Sequence, residues 1–172
     1  GASPDGINVD PKSLRYGRML EIKNIVNREI NGIPKKEYWI QMQLQMEVCN
    51  LDECDFLETK FTEYMDYNSY LEDSGDNEVT SKDGKMKGTI IYFNTKDGMP
   101  IYIYKPLGIT DVDKITEWED EMVTLYQSEK YNYTFIKFLY WKQDCYSCVL
   151  VPRNRQWFKD NVDEIGALWS II

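Results

Sequence analysis

Three side chains near the start of the chain have the types and spacing of a hydrolytic centre. Asp5 stands between Pro4 and Gly6, and Glu21 and Lys23 lie two residues apart in the run Leu20-Glu21-Ile22-Lys23. Successive side chains alternate faces along a strand, so Glu21 and Lys23 leave the same face. If the Asp5 segment pairs with that strand as a hairpin, Asp5 meets Glu21 at the open end. Two carboxylates at close quarters repel unless a cation lies between them, and oxygen ligands favour a hard divalent ion. A lysine beside such an ion could orient or help to deprotonate a water, or stabilise charge developing on a phosphate. The set suits metal-assisted phosphodiester hydrolysis. An Glu-x-Lys pair alone is also a common solvated edge pattern, and Pro-Asp-Gly a common turn. Order and context carry the reading.

The elements that must position these residues can be read from pattern. Residues 1–10 suit an extended strand, with Pro4 keeping Ser3 extended. Residues 11–17 read as a loop or hairpin tip between Pro11 and Gly17. Arg18 to Val26 alternates as a strand does. After the break at Asn31-Gly32-Ile33-Pro34, a helix is expected from Lys35 to Cys49. Ile40, Leu44 and Val48 form one face of it, and Tyr38, Gln41 and Gln45 a second. Cys54–Tyr64 reads as a strand, and 65–87 as an exposed acidic loop or insertion. Strands at 88–94 and 100–106 turn at Asp97-Gly98. A helix opens at Thr110-Asp-Val-Asp113 in the manner of a capping box. Strands near 131–141 and 145–151 and a last amphipathic helix through Trp157 and Trp169 complete the chain. The order is that of an α/β protein with a mixed sheet in one domain over 1–172.

The 172 residues are 42% hydrophobic and 14% aromatic, enough for a core and against wholesale disorder. No run approaches a membrane span, and nothing at the start reads as a signal peptide, so a soluble intracellular protein is expected. The net charge of −9 is unevenly spread. Residues 1–36 carry seven Lys/Arg against four acids, so the motif-bearing segment is locally basic within an acidic chain. Cys49, Cys54, Cys145 and Cys148 could suggest zinc, but Cys145 and Cys148 lie three apart on a predicted strand and there is no histidine. Reduced core thiols are the expectation. The sequence opens without an initiator Met and with a motif on its first residues, as expected of a stretch that begins inside a domain.

Ser3-Pro4-Asp5-Gly6, then Leu20-Glu21-Ile22-Lys23, then Tyr38-Trp39-Ile40-Gln41-Met42-Gln43 resemble, in that order, the motifs of the PD-(D/E)xK nucleases. The branch most similar is that of phage lambda exonuclease and the YqaJ-type viral recombinases. The resemblance covers about residues 1–64, and beyond residue 88 no family motif is visible. It implies a restriction-endonuclease-like core, with a mixed central sheet flanked by helices. It implies that Asp5, Glu21 and the Ile22 carbonyl bind Mg²⁺ or Mn²⁺, that Lys23 acts on the attacking water, and that Gln41 braces the site. Ser3, Arg28, Lys35 and Tyr38 are expected on the DNA side.

The activity implied is Mg²⁺-dependent exonucleolytic digestion of duplex DNA ends, 5′ to 3′, in viral or phage recombination or replication, in host cytoplasm or nucleus. DNA is the expected partner, and a homo-oligomer and a single-strand annealing protein are further partners to test. The spacing from Asp5 to Glu21 is longer than is usual in that branch. The branch also uses an N-terminal helical region and a further acidic residue that this sequence lacks, so the stretch alone is expected to be inactive. A structure-specific endonuclease of the same superfamily and a non-catalytic DNA-binding or assembly module are the alternatives. On sequence grounds, removing either carboxylate should relieve repulsion and leave stability without metal unchanged or raised.

Overall fold

The computed structural model describes residues 3–171. Its elements are β1 (Gly6–Ile7), β2 (Met19–Asn24), α1 (Lys36–Cys49), β3 (Glu53–Glu63), α2 (Tyr67–Glu72), β4 (Lys87–Asn94), β5 (Pro100–Tyr104), α3 (Val112–Gln127), β6 (Thr134–Pro152) and α4 (Arg155–Trp169). The fold is mixed α/β: six strands in the order β1-β2-β3-β6-β4-β5, flanked by helices. The β2/β3 pair is parallel, whereas β1/β2, β4/β5 and β4/β6 are antiparallel. The chain packs as two compact units, one running through Lys60 and resuming at Cys145, the other Phe61–Asp144. Strands β3 and β6 contribute to both.

In the first unit, β2-α1-β3 forms a parallel crossover, the connection that a helix between parallel strands provides. Its core joins Met19 of β2, Met42 and Met46 of α1, Cys54 and Phe56 of β3 and Val151 of β6. Methionines fill the space between helix and sheet. The C-terminal segment is latched to α1. Gln43 donates to the Pro152 carbonyl (3.1 Å) and accepts from the Asn154 N–H (2.6 Å), while Arg153 pairs with Glu47 at 2.7 Å. Trp39 and Trp157 meet edge to face at 5.2 Å.

The second unit packs Ile91 and Phe93 of β4 against Trp118 of α3. On the other face of β4, the Trp141 ring lies over Gly88. A Cβ at Gly88 would stand 2.5 Å from the ring, so only glycine fits.

Several expectations are corrected. The opening strand is only Gly6–Ile7, because the chain turns from residue 11 onward and Gly17 N–H already closes on the Asn8 carbonyl. In α1 the buried residues are Met42, Gln43, Gln45 and Met46, and Val48 is exposed. The glutamines turn inward because buried polar partners await them. Residues 65–87 are not a loose loop. They hold α2, capped by Asp66 onto the Ser69 N–H, and bury Tyr70, Glu78, Ser81 and Lys87. The cap of α3 is Asp111, accepting from the Lys114 N–H, rather than Thr110. The two strands expected near 131–141 and 145–151 form one long β6. Cys145 and Cys148 are exposed on it, so only Cys54 is a buried core thiol.

Candidate functional site

The hairpin that would bring Asp5 to Glu21 is present. Gly6 pairs with Leu20 and Ile7 with Met19, so Asp5 lies one step beyond the ladder, level with Glu21. The exposed Asp5 carboxylate accepts the Ile22 N–H at 2.7 Å, tying it to β2. One Asp5 oxygen is thereby used, and the other stays open to a ligand.

Glu21 is 1% exposed, lying beneath α1. A buried carboxylate needs donors, and three side chains supply them. Lys23 Nζ lies 2.5 Å from Oε1, and Gln41 Nε2 donates to the same oxygen at 2.7 Å. Gln45 Nε2 donates to Oε2 at 2.9 Å and also reaches the Ser3 carbonyl at 3.2 Å. The helix period explains the pair: Gln41 and Gln45 are one turn apart and descend on the same carboxylate. Tyr38, one turn earlier, sets its ring 5.3 Å from Lys23 Nζ and packs on Phe56.

The negative field here reaches the core. Burial, and then the charge of Glu21, push the Cys54 thiol up to about 12, so it is neutral and no nucleophile.

The sequence-selected residues Asp5, Glu21, Ile22, Lys23, Tyr38 and Gln41 therefore come together, with the Ser3 carbonyl at the rim. Arg28 is placed otherwise. Its guanidinium pairs with Glu58, which is 1% exposed, and donates to the Glu29 carbonyl at 3.0 Å. Lys35 is exposed ahead of α1, with Glu37 at 3.7 Å. Two residues had not been selected. Gln45 had a signal, its spacing from Gln41. Glu58 had none, because the β2/β3 register that sets it opposite Lys23 is not visible in either strand alone.

Among the described residues, no three His, Cys, Asp or Glu side chains converge as a metal cluster. The donor set that could hold a cation is Asp5, Glu21 and the Ile22 carbonyl, all oxygen, which suits Mg²⁺ or Mn²⁺. Beside it, Gln45 Oε1 is buried without a donor. These residues fit a hard divalent ion, provided that Lys23 gives up its place on Glu21.

No protein-family model matches the chain. It is similar to an uncharacterized protein of Acanthamoeba polyphaga mimivirus, 28% identical over 201 aligned positions that cover 99% of this chain. The chain spans 36% of the length of that relative. Among the described residues, no helix is long and apolar enough to cross a membrane.

Proposed function

We propose that this chain carries the catalytic centre of a metal-dependent DNA nuclease, an exonuclease acting on duplex ends 5′ to 3′. The observation that carries the reading is the convergence of Asp5, Glu21 and Lys23 under two glutamines of α1. Fold supports it as well, since hairpin, helix and parallel strand place the three groups on one side of a mixed sheet.

Asp5, Glu21 and the Ile22 carbonyl would hold the cation, which when bound supplies positive charge against the phosphate and lowers the pKa of water. Gln41 and Gln45 fix the Glu21 carboxylate from behind, so its oxygens are aimed before substrate arrives. Lys23, freed from Glu21, orients the attacking water and balances charge building on the non-bridging oxygens. The water oxygen bonds to phosphorus as its proton passes to solvent, the bond to the leaving sugar oxygen breaks, and that oxygen takes up a proton from solvent. Tyr38 confines Lys23 from the helix side.

The polarity, the exonucleolytic character and a viral setting in host cytoplasm or nucleus rest on the resemblance and on the viral relative. DNA is the proposed partner. A homo-oligomer and a single-strand annealing protein remain proposals of the same kind.

The test is full-length protein on end-labelled linear duplex and on closed circular DNA, with Mg²⁺ or EDTA. Metal-dependent loss of the linear DNA alone supports the exonuclease. Cutting of the circle reassigns the centre to an endonuclease. Cleavage of neither overturns the enzymatic reading in favour of a binding module.

A further inference from the structure

Glu58 is a buried acid that the scheme above does not use. It is 1% exposed, and it is the register partner of Lys23 across the parallel β2/β3 pair. Register partners on adjacent strands leave the same face, with backbones roughly 5 Å apart. Its Oε1 takes Arg28, whereas its Oε2 is buried without a partner among the described residues. An unmet carboxylate oxygen in a water-poor setting is costly and wants a donor.

Lys23, opposite Glu58 in the β2/β3 register, carries such a donor. Its ammonium now sits on Glu21 Oε1, where it repels any cation approaching that carboxylate. The flexible stem of lysine lets the charge turn from one carboxylate to another without moving the strand.

We propose that Glu58 is a positioning residue, offering Oε2 as the second seat to which the Lys23 ammonium moves when Glu21 takes a divalent ion. The proposal rests on the nuclease reading and deepens it. With Lys23 seated there, its charge stands beside that of Arg28. Arg28 keeps free N–H donors and a side chain 23% exposed. The pair then presents two cations to a phosphodiester chain, Lys23 to the phosphate under attack and Arg28 to a neighbour.

The test is Mn²⁺ titration by calorimetry of the chain without DNA, for wild type, Glu58→Gln, Lys23→Met and the double variant. Without its second seat Lys23 stays on Glu21, so Glu58→Gln should weaken Mn²⁺ binding about tenfold. Lys23→Met should bind at least as tightly as wild type, and adding Glu58→Gln to it should change nothing. Unchanged affinity in Glu58→Gln overturns the proposal. So does an equal loss in the Lys23→Met background, which would mark a field or folding effect.

If Glu58→Gln does not fold, Arg28→Met with Glu58→Met removes both charges and leaves neither buried alone. The same tenfold loss is expected, again abolished by Lys23→Met, and its absence overturns the proposal. Wild type that binds no Mn²⁺ sinks the metal-centre reading itself, and this proposal with it. Binding by wild type equal to that of Glu58→Gln sinks this proposal alone.

Discussion

Lys23 Nζ and Glu21 Oε1 lie 2.5 Å apart, in a pair that is almost closed to solvent on the carboxylate side and partly open on the ammonium side. Without metal, then, the charge of Glu21 is balanced from within the same strand. The carboxylate is held ready by the groups that must later share or release it.

This pairing changes what removal of the carboxylates should do. Repulsion between Asp5 and Glu21, the sequence-based ground for expecting unchanged or raised stability, is not what dominates Glu21. Glu21→Gln sets an amide, itself a donor, among three buried donors, so metal-free stability should fall by about 1–3 kcal/mol. Asp5→Asn keeps an acceptor for the Ile22 N–H at an exposed position and should stay within about 0.5 kcal/mol. Denaturant midpoints in EDTA check both, and equal effects at the two positions would refute the distinction.

The glutamines of α1 should act on the metal site rather than on folding alone. Gln45→Leu removes the donor to Glu21 Oε2, and Gln41→Leu one of two donors to Oε1. Each should lower Mn²⁺ affinity about 10- to 100-fold, the usual range for groups that orient a ligand. Calorimetry on folded variants is the check. Affinity unchanged in both would remove them from the site.

Much of this was legible in the sequence, and what was not has a physical cause. Asp5, Glu21 and Lys23 could be related through alternation along one strand and closure of one hairpin, both local properties. Glu58 depended on register between strands separated by a whole helix, which no local pattern encodes. The buried face of α1 differs from the apolar Ile40/Leu44/Val48 stripe because Gln43 and Gln45 are drawn inward with Met42 and Met46. The two glutamines are buried by partners distant in sequence: Pro152 and Asn154 for one, Glu21 for the other. Residues 65–87 read as an exposed acidic loop from composition, yet Tyr70 and Lys87 pack together there, with the ammonium 4.0 Å from the ring centre.

In the second unit, burial first and then the neighbouring Glu78 raise the Glu119 carboxyl to about 7, with Asp120 adding to the shift and Thr89 and Lys105 opposing it. An acid whose folded pKa is raised is easier to ionise unfolded, so its contribution to stability falls as pH climbs from about 4.5 to 7. Glu119→Gln should remove that slope and gain on the order of 1 kcal/mol above pH 7, after allowance for partial solvent screening. Stability curves at pH 5 and pH 8 test this. A variant that tracks wild type at both would contradict it.

Gly88 lies under the Trp141 ring, and a methyl group there has no room. Gly88→Ala should destabilise by about 1–3 kcal/mol through overpacking. Thermal unfolding of Gly88→Ala in the wild-type and Trp141→Leu backgrounds separates the clash from any backbone effect, because the cost of Gly88→Ala should be much smaller where the ring is absent.

Whether Asp5, Glu21 and Lys23 form a metal-dependent hydrolytic centre is tested most directly by the cleavage rate of Lys23→Met. Full-length protein would be assayed on linear duplex at saturating Mg²⁺, after Mn²⁺ titration has shown that the variant still binds metal. Intact metal binding with cleavage lowered by about 10²-fold or more is expected. Cleavage at the wild-type rate would contradict such a centre, and would move the chemistry away from this strand.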